Sequence, residues 1–87
     1  MQLRPEVLRF AEAMEAKLRA NDYKPGWKHE SPQALLERVE DELIELHMAL
    51  AARHNVGVLD EAVDMANFLM MLADVCGQLP SSYNSKS

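Results

Sequence analysis

An 87-residue chain has room for one small domain, and 14 acidic against 9 basic residues leave it with a formal charge of −5. No run or stripe of lysine and arginine stands out, which argues against binding to nucleic-acid polymers, where neutralising phosphate dominates affinity. A single cysteine, Cys76, rules out an intramolecular disulfide or a zinc cluster, and the longest apolar run, FLMMLA, falls far short of the ~20 residues that span a bilayer.

The first predicted helix runs from about Arg4 to Ala20. Pro5 suits a first-turn position, and Leu3, Val7, Phe10 or Ala11, Met14 and Leu18 recur every three or four residues. The start, MQLRPEVLRFAEAMEAK, has no continuous apolar core of the signal-peptide kind, so a soluble cytoplasmic protein is expected. The segment ANDYKPGWKHES breaks the pattern with Asn, Asp, Pro and Gly and reads as a loop.

The second helix opens at Ser31-Pro32, a capping hydroxyl followed by a proline at the first helical position. Leu36, Val39, Leu43, Leu46 and Leu50 step by three and four, the pattern of a seam between helices. Near RHNVG, Asn55 or Gly57 is expected to take the left-handed conformation that closes a helix. The third helix then runs from about Val58 to Gly77, with Asp60 and Glu61 favourably in its first turn and Gly77 and Pro80 stopping it. Cys76 reads as a small buried hydrophobe. The polar PSSYNSKS is expected to be a disordered tail, which gives one all-α domain over residues 1–79 and a tail over 80–87.

A short connection makes the second and third helices an antiparallel hairpin. Glu42 and Glu45 share one face of the second helix, and Glu61, Asp64 and Asn67 share one face of the third. With the turn centred near Asn55, the two acidic pairs are offset by about four residues, or ~6 Å of helix rise, a gap that glutamate side chains can close. Four carboxylates converging at low dielectric repel one another unless protonated or bound to a cation. Their hard oxygens, with no histidine or cysteine among them, suit Mg²⁺ or Mn²⁺ rather than zinc, and a di-iron site would want a Glu-x-x-His pair that is absent. The plainer reading is that such pairs are solvated surface. Asn67 can fix a ligand carboxylate, meet a sugar hydroxyl, or bond one helix to another. Trp27 can stack on a base or cap the core, and Lys24 and Lys28 beside it can reach phosphate or remain solvated.

DELIE followed by EAVD resembles the acidic signature of the MazG-like, all-α nucleotide pyrophosphohydrolases, and RFAEAMEAKLRANDYKPGWK and DEAVDMANFLMMLAD resemble a short single-domain branch of them. The resemblance covers roughly residues 5–78. It implies hydrolysis of a nucleoside triphosphate between the α and β phosphates, with Glu42, Glu45, Glu61 and Asp64 as metal ligands and catalytic carboxylates. Asp41 stands where the signature usually has its first Glu. The resemblance also implies a pocket near a subunit interface. So short a chain offers little core for helices with apolar residues on several faces, and a homodimer or dimer of dimers is expected to complete the bundle. The alternative is a non-catalytic helical homo-oligomeric interaction module whose acids are surface decoration. A narrow relative acting on deoxyuridine triphosphate or phosphoribosyl-ATP also stays open.

Overall fold

The computed structural model describes residues 1–80, so most of the expected tail, residues 81–87, lies outside the described part. Three helices follow one another: α1 (Pro5–Ala20), α2 (Pro32–Ala51) and α3 (Asn55–Val75). Among the described residues there is no strand, as the lack of any period-two pattern predicts.

Each boundary has a local cause. Pro5 starts α1 at a position whose missing N–H costs nothing. Ser31 Oγ accepts from the Ala34 N–H at 3.1 Å, and Pro32 takes the first helical position of α2. At the end of α3, Gly77 adopts φ 72°, its N–H donates to the Asp74 carbonyl and Gln78 N–H donates to the Ala73 carbonyl. That pair of bonds is a Schellman closure with glycine at the left-handed position.

The same closure ends α2, with a different residue. His54 N–H donates to the Ala49 carbonyl and Arg53 N–H to the Leu50 carbonyl, and Arg53 itself takes φ 55°. The expectation for Asn55 and Gly57 is thus overturned: both are helical, and α3 begins three residues earlier than predicted. Gly57 is needed for closeness instead. A Cβ there would come within 2.5 Å of His54 Nδ1, because the imidazole folds over the first turn of α3. Asp60 and Glu61 consequently lie in the second turn, away from the helix dipole.

The earlier turn changes the register of the hairpin. Glu42 stands eleven residues before Arg53 and Asp64 eleven after it, so the expected four-residue offset between the acidic pairs disappears. The seam of α2 also differs from expectation. Ala34, Leu35, Val39, Leu46 and Ala49 are its sheltered apolar positions, while Leu36, Leu43 and Leu50 are exposed. α2 carries two apolar stripes, and packing against α3 selects the one that contains Glu42. Glu42 is therefore part of the seam.

α1 lies against α3 and not against α2. Its sheltered positions are Phe10, Ala13, Met14, Lys17 and Leu18, whereas Leu3, Val7 and Ala11 face outward. Leu35 and Val63 are the buried apolar side chains of the described chain, a very thin core for this size. Cys76, expected inside, is exposed because it lies just past the last turn of α3. No helix among the described residues is long and apolar enough to cross a membrane.

Candidate metal centre and nucleotide cleft

Glu42 of α2 and Glu61 and Asp64 of α3 each present a carboxylate oxygen, and these oxygens lie within 4.8 Å of one another. Spacing of three places Glu61 and Asp64 on one side of α3, and the register set at Arg53 brings Glu42 opposite them. All three are half-buried.

The cost of this arrangement falls on Glu42, whose pKa is pushed up from the ordinary 4.5 to about 7. Burial is the first cause. A hydrogen bond shared with Glu61 is next, followed by the negative charges of Asp64 and Glu61. A carboxyl that holds its proton to neutrality between two others is a cluster short of positive charge. Three hard oxygen donors deficient in positive charge fit a divalent cation such as Mg²⁺, which is bound through a few carboxylates and retains waters. One cation is already close: Lys17 of α1 places Nζ 3.3 Å from Asp64 Oδ1 and 3.9 Å from Asp60 Oδ1.

Glu45 is exposed on α2, one turn nearer the hairpin bend, and does not belong to the group of three oxygens. The remaining predicted residues cluster on the other side of Asp64. Asp64 also lines a cleft between α1, the 21–30 loop, the start of α2 and α3, and Lys24, Trp27 and Asn67 line it too. Lys24 is exposed, with Nζ 5.7 Å from the Tyr23 ring centre. Trp27 is half-buried, and its Nε1–H donates to Asp74 Oδ2 at 2.8 Å. Lys28 is drawn to the same oxygen, with its ammonium 5.6 Å from the Trp27 ring centre. Asn67 is buried, and its Nδ2–H donates to the Met14 carbonyl at 3.2 Å, the helix-to-helix bond that sequence offered as one reading.

Three contributors escaped sequence reasoning. Lys17 had a signal, being a charged residue between Met14 and Leu18 on the packed face of α1. Asp74 had one as well: Asp64, Asn67, Met71 and Asp74 are spaced three, four and three. Its carboxyl is held below the usual range, first by the Lys28 hydrogen bond and then by Trp27. Arg38, whose guanidinium lies 4.7 Å from the Phe68 ring centre, had none beyond its charge.

An all-α hairpin here gathers three carboxylates beside a cleft lined by aromatic and charged side chains, an arrangement able to hold a divalent cation next to a bound ligand. The model of the phosphoribosyl-ATP pyrophosphohydrolase family matches residues 7–77. The chain belongs to that family, a MazG-like all-α pyrophosphohydrolase group whose members depend on a divalent metal. No curated protein and no solved structure matches it.

Proposed function

We propose that this chain is a Mg²⁺-dependent nucleoside triphosphate pyrophosphohydrolase that cleaves ribo- or deoxyribonucleoside triphosphates to the monophosphate and pyrophosphate and serves nucleotide-pool housekeeping. The observation that carries the reading is the approach of Glu42, Glu61 and Asp64 across the hairpin, next to a cleft they share through Asp64. Mn²⁺ can replace Mg²⁺ on the same oxygens.

Glu42, Glu61 and Asp64 would hold the ion, with Glu45 at the rim as a further carboxylate. The bound ion offsets the triphosphate charge and polarises the phosphorus–oxygen bonds. Holding the ion would require Glu42 ionised, so binding below about pH 7 would release its proton. A carboxylate of the set, Glu45 being the most open to solvent, takes the proton of the attacking water. Trp27 and Phe68 offer ring faces to the base. Lys24 in the cleft wall draws the phosphates toward it, and Lys28, outside the wall, assists once released from Asp74.

The substrate named by the family favours a second reading, in which the nucleotide is phosphoribosyl-ATP and the bond broken is the same kind of anhydride. A panel of nucleoside triphosphates with Mg²⁺, with products identified, tests both. Monophosphate plus pyrophosphate establishes the reaction, and turnover restricted to phosphoribosyl-ATP selects the second reading. Absence of turnover and of metal-dependent stabilisation leaves a helical interaction module.

A second copy of the chain completes the bundle in this reading. Leu36, Leu43, Ile44, Met48 and Leu50 leave an apolar face on α2 exposed, which is the composition of an interface rather than of a monomer surface. Sedimentation at micromolar concentration is expected to give a dimer or tetramer of the 9.8 kDa chain, and a monomer refutes this part.

A further inference from the structure

One cation is lodged against the acids, and it comes from a helix that supplies none of them. Lys17 of α1 places Nζ 3.3 Å from Asp64 Oδ1 and 3.9 Å from Asp60 Oδ1. Among the described residues no other lysine, arginine or histidine forms an ion pair with Glu42, Glu61 or Asp64. The fold fixes the position. Lys17 stands one turn after Met14, whose carbonyl accepts from Asn67 Nδ2–H, a bond that pins α1 to α3. The Lys17 side chain is 31% exposed, so a ligand still reaches it.

Two features mark the contact as exchangeable. At 3.3 Å the approach to Asp64 is looser than the ~2.7–2.9 Å of a charge-assisted hydrogen bond, whereas Arg19 and Glu15 do reach 2.8 Å. Charge attraction alone holds the ammonium there. A second acceptor is also at hand. Asp60 lies one turn before Asp64 on α3, is exposed, and stands outside the group of three converging oxygens. The ammonium can therefore leave Asp64 without losing every carboxylate.

Where it would go follows from its other surroundings. Lys17 and Asp64 both line the cleft, so the ammonium sits where the cleft and the acids meet. A bound triphosphate carries more negative charge than one divalent cation offsets, and a lysine ammonium is a compact donor suited to phosphate oxygens. A positive charge held against Asp64 also opposes a divalent cation on that carboxylate by direct repulsion. Moving the ammonium from Asp64 to phosphate meets both demands.

We propose that Lys17 is an exchangeable counter-cation: it neutralises Asp64 in the metal-free protein, yields Asp64 to a divalent cation, and turns to the phosphates of the bound nucleotide. This rests on the metal-dependent pyrophosphohydrolase reading. The consequence is a pair of effects of opposite sign, because removing the Lys17 charge favours the metal and disfavours the phosphates. A solvated surface lysine gives neither effect, and a purely structural tie between α1 and α3 weakens both.

The test measures binding without turnover and compares the unaltered chain with Lys17→Met, which keeps the stem and drops the charge. Mn²⁺ alone is titrated, with the free ion counted by electron paramagnetic resonance. The Mg²⁺ complex of inorganic tripolyphosphate is titrated separately by calorimetry. Lys17→Met should bind Mn²⁺ about 3–20-fold more tightly and tripolyphosphate at least about 10-fold more weakly. Mn²⁺ affinity that is unchanged or weaker overturns the inference, as does tripolyphosphate affinity that is unchanged or undetectable in both chains. Should Lys17→Met unfold in chelator, recovery of its helical circular dichroism with Mn²⁺ supports the inference. Failure to recover overturns it, because the ion then does not replace the ammonium. No Mn²⁺ bound by either chain sinks the metal-dependent reading and this inference with it, whereas Mn²⁺ bound equally by both sinks the inference alone.

Discussion

Replacing Glu42 by Gln should stabilise the metal-free protein at alkaline pH, although it removes a carboxyl from the metal cluster. In the folded chain the Glu42 carboxyl has a pKa of about 7 against an ordinary 4.5, so the folded state binds that proton more tightly than the unfolded chain does. The stabilisation from the retained proton is complete below pH 4.5 and is lost progressively as the pH rises through about 7. At 1.36 kcal/mol per unit the full loss would be about 3 kcal/mol, and because the site is half-open to water, screening reduces it to about 1–2 kcal/mol. Gln mimics the protonated acid in shape and charge, so at pH 8 without metal Glu42→Gln should melt about 5–15 °C above the unaltered chain, with the two converging near pH 4.5. Melts at pH 4.5, 6 and 8 in chelator, at one fixed protein concentration, measure this. Added Mg²⁺ should then raise the melting temperature of the unaltered chain at pH 8 and leave the variant unmoved. A melting temperature independent of pH between 4.5 and 8, or a variant that is less stable at pH 8, refutes the picture of a charge-crowded seam.

Glu61→Gln and Asp64→Asn should each lower Mg²⁺-dependent turnover at least about 100-fold with helical circular dichroism retained, and Glu45→Gln should do the same if the fourth carboxylate takes part. Full activity in any of them removes that residue from the site. Arg53→Gly should raise stability by about 0.5–1 kcal/mol in denaturant titrations, because glycine takes the left-handed position without the Cβ clash that Arg53 tolerates at φ 55°; a lower midpoint would show that the closure of α2 depends on the arginine side chain. Asp74→Ala should release Trp27 and shift its emission to longer wavelength, and acidification below the ordinary carboxylate range should do the same to the unaltered chain, since a lowered pKa gives a contribution present above that range and lost below it. An unchanged spectrum in both would place Trp27 under the control of its apolar neighbours.

Elements whose cause is local could be read from sequence. Ser31-Pro32 announces the start of α2, Gly77 the end of α3, and the three-residue spacing of Glu61 and Asp64 puts both on one side whatever surrounds them. Choices between near-equal local options needed the tertiary structure. α2 carries two apolar stripes, and periodicity alone cannot say which meets α3; burial of Leu35 and partial burial of Val39, with Leu36 and Leu43 left outside, decides it and draws Glu42 into the seam. Asn55 and Gly57 are both better left-handed residues than Arg53, yet the bend falls at Arg53, where Gly57 is free to lie beneath His54 and the acids come opposite one another. The cleft was legible only in fragments, because Lys17, Trp27 and Asn67 come from three separate segments. Helix type and face follow from interactions three or four residues apart, which a sequence displays directly. Register between helices and the company a side chain keeps follow from contacts dozens of residues apart, and only folding brings those together.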